Sequence, residues 1–586
     1  MSAARLITVA FVVSLPLIAG AQGVRPSRQD LAGLPLRSIG PANMSGRIVD
    51  LDVNERNPYV IYAASSTGGV WKSTTNGVTW KPVFENEGTH SVGDIAAHPI
   101  DTGVVWVGTG ERASRQSSSW GDGVYKSTDG GRTWRHMGLR DSHHVGRIAL
   151  HPTDANVVFV AAMGHLWGPN DERGLYKSAD AGATWRRVLH VDSVTGVVDV
   201  AIDPKDPRTM YAASYQRMRK AFGFHGGGPG SALYKSTDGG DTWRKIAPLS
   251  AGNVPDAIAR TGGPTGVDTL GAPGPNGLPK GEYGRIGISI HRADPRIVYV
   301  SVEQGYRYNA STAYVERRAG LYRSENHGET WTWMSTWNPR PMYASQPLVD
   351  PRDDKRVYMM NAYSFSDDGG RTFTEPDQSL HGDDRILWVD PNDSRHVIKG
   401  DDGGIGMSWD RGLTWTYVTN LPLSQFYRVR VDNAVPYNVY GGLQDNGSWI
   451  GPSATYRSEG VLNQDWRRLG GGDGFLSIPD TVDGRTIYAE SQYLGLTIRD
   501  NRTWQTRTIR PGDPRGTIEP RRNFDAWFGG RQDPELGNAM APGNWDGPFV
   551  ISAHDNRTIY AGTDRLWKST DLLLSSSRCR RCRGPG

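Results

Sequence analysis

The stretch Ser127-Thr128-Asp129-Gly130-Gly131-Arg132-Thr133-Trp134 decides the fold, because it returns along the chain. Ser236-Thr237-Asp238-Gly239-Gly240-Asp241-Thr242-Trp243 repeats it closely, and looser copies run over 178–185, 324–331, 366–373 and 408–415. Residues 73–80 form a further copy with Thr75 in the Asp slot. The pattern is Ser-x-Asp-x-Gly-x-Thr-Trp, and copies begin 42 to 88 residues apart. Self-similarity at that period belongs to stacked β-sheet blades rather than to the shorter helical solenoid repeats.

A second pattern precedes each copy: an apolar strand, a turn of Asp or His, Pro, x and Asp, then another apolar strand. His98-Pro99-Ile100-Asp101, His151-Pro152-Thr153-Asp154, Asp203-Pro204-Lys205-Asp206, Asp350-Pro351-Arg352-Asp353 and Asp390-Pro391-Asn392-Asp393 are its clearest examples. Looser versions near Asp52, Asp294, Asp432, Asp480 and Asp555 bring the total to ten. Pro presets the turn and Asp caps it, while flanks such as 157–161 and 297–302 are β-branched and apolar. Each unit therefore reads as four strands, with Asp-x-Gly in the hairpin between the third and fourth. Gly accepts positive φ there, Ser and Asp oxygens satisfy turn N–H groups, and Trp packs between neighbouring sheets. Sheets with two apolar faces are buried by radial stacking, so a β-propeller of about ten blades is expected.

Composition agrees. The chain has 586 residues, 73 Gly, 20 Trp and only two Cys, with Lys+Arg 66 against Asp+Glu 62. A net charge of +4 implies no nucleic-acid surface. No apolar run is long enough for a membrane span in the mature chain. Residues 1–21 read as a secretory signal: Arg5, an apolar stretch over 6–19, and Ala19-Gly20-Ala21 as cleavage site. A secreted or periplasmic protein is expected. At the other end, 572–586 breaks the repeat with a Leu run, a Ser run and the lone Cys579-x-x-Cys582, and reads as an aberrant, disordered tail after truncation or frame shift.

The Ser-x-Asp-x-Gly-x-Thr-Trp motif resembles the Asp-box, or BNR repeat, shared by sialidases, xyloglucan-degrading glycosidases and sortilin-type receptors, and the likeness runs from Ile39 to Asp571. Within that group the chain is similar to a secreted bacterial family carrying Gly382-Asp383, Asp401-Asp402-Gly403-Gly404, Gly442-Leu443-Gln444-Asp445-Asn446-Gly447 and Gly472-Asp473-Gly474-Phe475. The xyloglucanase resemblance implies two seven-bladed propellers in tandem, here a first over 30–420 and a partial second over 421–571. The sortilin resemblance allows one ten-bladed ring instead.

The recurring carboxylates Asp129, Asp180, Asp238, Asp368 and Asp410 read as scaffold, since one per blade is not the convergent pair that glycoside hydrolysis needs. The xyloglucanase resemblance implies two catalytic Asp, one per propeller, the first in a Thr-Asp-x-Gly-Gly string. Here that string is Ser65-Ser66-Thr67-Gly68-Gly69, and a Ser66 hydroxyl is no carboxylic acid. Asp383 and Asp473, in Gly-rich strings, are the catalytic candidates. Trp120, Trp167, Trp337 and Trp449 lie near long loops and suit sugar stacking if exposed. Sialidase activity is not expected, for want of a Phe/Tyr-Arg-Ile-Pro string before the first box. No cofactor is expected, and His143-His144 with His151 lacks metal-site spacing. Residues 246–283 read as a long loop overhanging one face. The resulting expectation is a secreted binding protein of the sortilin-like type for a glycan or a peptide or protein ligand. The alternative is a xyloglucanase-type glycoside hydrolase acting on β-glucans.

Overall fold

The computed structural model describes residues 37–115, 117–220, 223–248, 273–304, 319–343, 346–376, 381–509, 543–563, 566–570 and 580–581. These form ten antiparallel sheets in chain order, here blades 1 to 10: 48–82, 92–136, 145–189, 195–247, 286–335, 347–366, 386–417, 426–470, 477–508 and 549–581. Eight have four strands in simple meander order. Blade 4 adds a strand, Gly223–Gly226, paired to the long Met210–Lys220, and blade 6 has three strands.

The seam between neighbouring blades is where the core sits. Each of blades 1 to 7 turns one apolar face to the blade before it and one to the blade after, blade 7 being followed by blade 1. Val49, Tyr62 and Ala64 of blade 1 meet Val92, Ile95 and Val107 of blade 2. Equivalent clusters join blades 2 to 3, 3 to 4, 4 to 5, 5 to 6 and 6 to 7. The seventh cluster joins Ile48, Leu51 and Ile61 of blade 1 to Ile386, Ile398 and Met407 of blade 7. The ring therefore closes at seven blades, and the single ten-bladed ring is not what forms. Two further clusters join blades 8 to 9 and 9 to 10 in a separate arc.

A belt of charge lines the ring's centre. Inner strands bulge at Asp50, Asp94 and Asp199, and each carboxylate accepts the amide of the next blade's inner strand or of the one beside it: Ile95 N to Asp50 at 2.8 Å, Ile148 N to Asp94 at 2.7 Å, Ile288 N to Asp199 at 2.9 Å. Arg112 and Arg147 bridge these carboxylates. Buried acids are thereby hydrogen-bonded and paired, as low dielectric demands.

The boxes perform the scaffold role. Ser127 Oγ accepts the amides of Gly131 and Asp129 and donates to Asp129 Oδ1. Asp129 Oδ1 accepts the Thr133 amide at 2.9 Å and Oδ2 the Thr133 hydroxyl at 2.7 Å. Gly130 and Gly131 lie at φ +70° and +86°, which a side chain resists. The same closure recurs at Asp180, Asp238, Asp368 and Asp410, and Asn326 substitutes with its amide oxygen. Two box Trp side chains bond to the preceding blade, Trp134 Nε1 donating to Val83 O and Trp185 Nε1 to Met137 O, while Trp243 and Trp331 donate to their own turns at Gly240 O and Gly328 O.

Two expectations meet the structure differently. The described part of the long loop does not overhang; Leu278 and Tyr283 are buried in the seam of blades 4 and 5. In the tail, Arg580–Arg581 pairs with Lys568 and Trp567 as a fourth strand of blade 10, while 572–579 and 582–586, like the signal segment 1–21, lie outside the described residues.

Candidate functional site

In an antiparallel sheet the start of the first strand and the end of the second share an edge. Loops at that edge form one mouth of the ring, and there the chain concentrates buried charge. Arg47 precedes the inner strand Ile48–Val53 of blade 1 and is only 2% exposed. Its guanidinium meets three carboxylates from three other blades: Glu111 of blade 2 at 2.8 Å, Asp402 of blade 7 at 3.0 Å and Asp445 of blade 8 at 2.7 Å. Asp402 is also gripped by Arg385 through two nitrogens at 2.6 Å. The Arg385 and Arg340 guanidinium groups lie 3.8 and 4.3 Å from the Tyr343 ring centre, as planar delocalised cations do. The mouth is thus the hinge point between the closed ring and the arc.

Both catalytic candidates belong to this cluster. Asp383, at φ +61°, pairs with Arg340, and its carboxylate lies with those of Asp402 and Asp445 in one group of oxygens within 4.8 Å of one another. Asp473 is buried and caps the Asp445 amide at 2.6 Å. His381 Nε2 lies 3.0 Å from Asp445 O. Asp384, next to Asp383, turns inward to Lys399 at 2.6 Å. Arg47 and Glu111 lie outside the strings that carry the family resemblance, whereas Asp402 and Asp445 stand in them without an assigned role. Their signal was a charged residue at the end of an otherwise apolar or Gly-rich strand.

The environments drive the acids apart. Burial, then the neighbouring Asp402 charge, pushes Asp445 up to about 7, with Arg47 only partly opposing. Burial also raises Asp473. Burial acts upward on Asp402 as well, but Arg385 and Arg47 outweigh it and hold that carboxyl below the usual range. The mouth so sets a carboxyl raised toward neutrality beside one held ionised.

Ser66 is fully buried at the same edge of blade 1, with its hydroxyl 3.4 Å from Gln425 Oε1. A Cβ on Gly68 would collide with Leu423, so the connection to the arc packs onto this turn. Of the four tryptophans near loops, Trp120 and Trp167 are 67% and 51% exposed. They stand in the loops after the second strands of blades 2 and 3, on the same mouth as Glu111. Trp337 is half-buried and stacks on Phe373, and Trp449 is buried, its Nε1 bonded to Asn446 O.

Comparison with known proteins agrees with this architecture. Residues 68–190 and 122–252 match the Sortilin-Vps10 family model, described as sortilin, neurotensin receptor 3. The xyloglucanase Xgh74A of Acetivibrio thermocellus is 25% identical over 236 residues, which are 34% of this chain and 26% of that protein. A xyloglucanase of Hypocrea jecorina is 29% identical over 247 residues, 38% of this chain and 28% of that protein. These alignments span about a quarter of the curated relatives' length. The crystal structure of an ancestral GH74 enzyme superposes with a TM-score of 0.57 at 17% identity, covering 92% of this chain and 69% of that one. The chain resembles sortilin-type and xyloglucanase-type propellers, and the structural likeness shows the β-propeller fold. Among the described residues no helix is long and apolar enough to cross a membrane.

Proposed function

We propose that the protein is a secreted or periplasmic propeller that binds a β-linked glycan across the mouth containing Arg47. One observation carries the reading: Trp120 and Trp167 keep large indole faces open to solvent on the rim of a polar, charged centre. Water exacts a cost for such faces, and the apolar C–H face of a pyranose ring covers an indole while its hydroxyls reach Asp and Arg side chains. The xyloglucanases among its relatives support a glycan, and the Sortilin-Vps10 match makes a peptide or protein the competing ligand class.

A second reading, hydrolysis of β-glucans, has its own support in the split between Asp445 and Asp402. In it Asp445 is the general acid, and Asp383 or Asp473 supplies the second carboxylate. Ser66 supplies none.

Calorimetry of the full chain against xyloglucan, mixed-linkage β-glucan and cello-oligosaccharides, with a peptide library as the competing class, tests the binding reading. Trp120→Ala and Trp167→Ala are each expected to weaken glycan binding roughly tenfold, about 1.4 kcal/mol. Retention of peptides but no glycan overturns it. Reducing-end release from the same polymers, abolished by Asp445→Asn and falling as pH rises past about 7 because the acid must hold its proton, establishes the second reading.

A further inference from the structure

The rim beside Trp120 carries a second constellation, apart from the Arg47 cluster. Asp141 lies in a single 3-10 turn, Arg140–Ser142, on the link from blade 2 to blade 3. His143 follows it at φ +53°. His165 comes from the loop after Val158–Ala162 in blade 3. His165 Nε2 stands 2.9 Å and His143 Nε2 3.6 Å from the same oxygen, Asp141 Oδ1. The two imidazoles lie nearly parallel, 3.6 Å between centres, and the three ligand atoms fall within 4.8 Å of one another. The other histidines of the sequence string are occupied elsewhere: His144 turns inward to Glu111 O, and His151 caps the Thr153 and Asp154 amides.

We infer that Asp141, His143 and His165 form a binding site for one first-row divalent cation of the Zn²⁺ class. The donor set decides the class. Two imidazole nitrogens and one carboxylate oxygen suit Zn²⁺ and its neighbours, whereas Mg²⁺ and Ca²⁺ select all-oxygen shells. Zn–N and Zn–O bonds of about 2.0–2.2 Å put tetrahedral ligands roughly 3.4 Å apart. The present 2.9 and 3.6 Å bracket that separation, but rings stacked 3.6 Å apart cannot both aim an in-plane lone pair at one ion, so binding also turns one imidazole out of the stack.

The surroundings hold the ligands in place, as the outer shell of a metal site does. Asn170, itself buried, ties the two ligand loops together: its Nδ2 donates to Asp141 O and its Oδ1 accepts the His165 amide, both at 2.9 Å. Glu172 accepts the Asp141 amide at 2.9 Å. Gly164, at φ +75°, is the residue that lets the chain approach this clamp, since a Cβ there would stand 2.3 Å from Asn170 Oδ1. The ligand side chains are 28% to 55% exposed, so the remaining coordination positions face solvent. Trp120 stacks on His143 at 6.3 Å, which places the ion next to the aromatic rim.

The site stands or falls independently of glycan binding, because its readout is the metal itself. The full chain carrying Cys579→Ser and Cys582→Ser, which removes the one competing thiol pair, is stripped with chelator and titrated with Zn²⁺ by calorimetry. One ion per chain is expected. His165→Ala and Asp141→Asn should each lower its affinity at least about 100-fold, Asn170→Ala about tenfold, and His151→Ala not at all. Co²⁺ in place of Zn²⁺ should give a visible absorption band that the first two variants lose. The inference is overturned if the stripped parent chain takes up no Zn²⁺. It is equally overturned if Asp141→Asn, with the parent's thermal transition intact, binds Zn²⁺ as the parent does.

Discussion

The inner strands of blades 1 and 8 hold the same position in their sheets and meet opposite fates. Ile48–Val53 is buried at every residue but one, with blade 2 on one side and blade 7 on the other. Phe426–Val431 is half-buried at its first two residues and exposed at the last four, with Val429 and Val431 47% and 51% exposed. Both strands pair with their own neighbours along their length, each with one bulge near its start. The difference lies in the blade that does or does not cover the second face. Blade 8 turns Tyr440 and Ile450 to blade 9, and among the described residues no blade covers its other face. Trp466 shields part of it by lying over Gly451. A strand's apolar pattern thus states what it would bury, and only the neighbouring blade decides whether it does.

The comparison predicts a graded set of effects. Arg47 ties ring to arc, and its loss strands buried Glu111 and leaves Asp402 to Arg385 alone. Arg47→Met should cost about 3–5 kcal/mol in denaturant unfolding. It should also separate the unfolding of arc from ring into two transitions; a single unchanged transition would break the picture of Arg47 as the tie. Next, Ile61→Ala in the seam of blades 1 and 7 should cost about 3 kcal/mol, against no more than about 0.5 kcal/mol for Val431→Ala. Equal losses at the two sites would show that something covers the face of blade 8. Smaller still, Ser127→Ala removes the acceptor of the buried Gly131 amide and should cost about 1 kcal/mol. Last comes the pH dependence of the boxes. Hydrogen bonds from the Thr133 amide first of all hold Asp129 down to about 2, and the Thr184 hydroxyl and amide do the same for Asp180. Lowered carboxyl values stabilise the fold above the unfolded value near 4 and lose that contribution as pH falls toward 2. Acid titration of the ring should show this loss in that window.

What the sequence revealed follows from the range of each interaction. The box, its glycines and the Pro-Asp turns were legible because Ser127, Asp129 and Thr133 satisfy one another within seven residues. The blade count followed from their repetition. Asp383 and Asp473 were legible as residues in permissive Gly-rich strings, and the structure brings both to the mouth. Asp402 and Asp445 stood in such strings without a role, and Arg47 and Glu111 did not stand out at all, since each of the four comes from a different blade and nothing local marks them as partners. The same holds for Asp141 and His165, which a whole strand pair separates in sequence and the Asn170 clamp joins in space. Ring closure at seven blades was readable only as a preference, because the deciding contact pairs the first blade with the seventh.

That closing contact also sets a schedule for the growing polypeptide. Arg47 and Asp402 are 355 residues apart, so at about 5–20 residues per second a ribosome needs roughly 20–70 s to deliver the partner of blade 1. For that interval Ile48, Leu51 and Ile61 face solvent, a nascent sheet with one side open. Folding dominated by so distant a pairing is slow, and the open sheet face waits on the last blade of the ring.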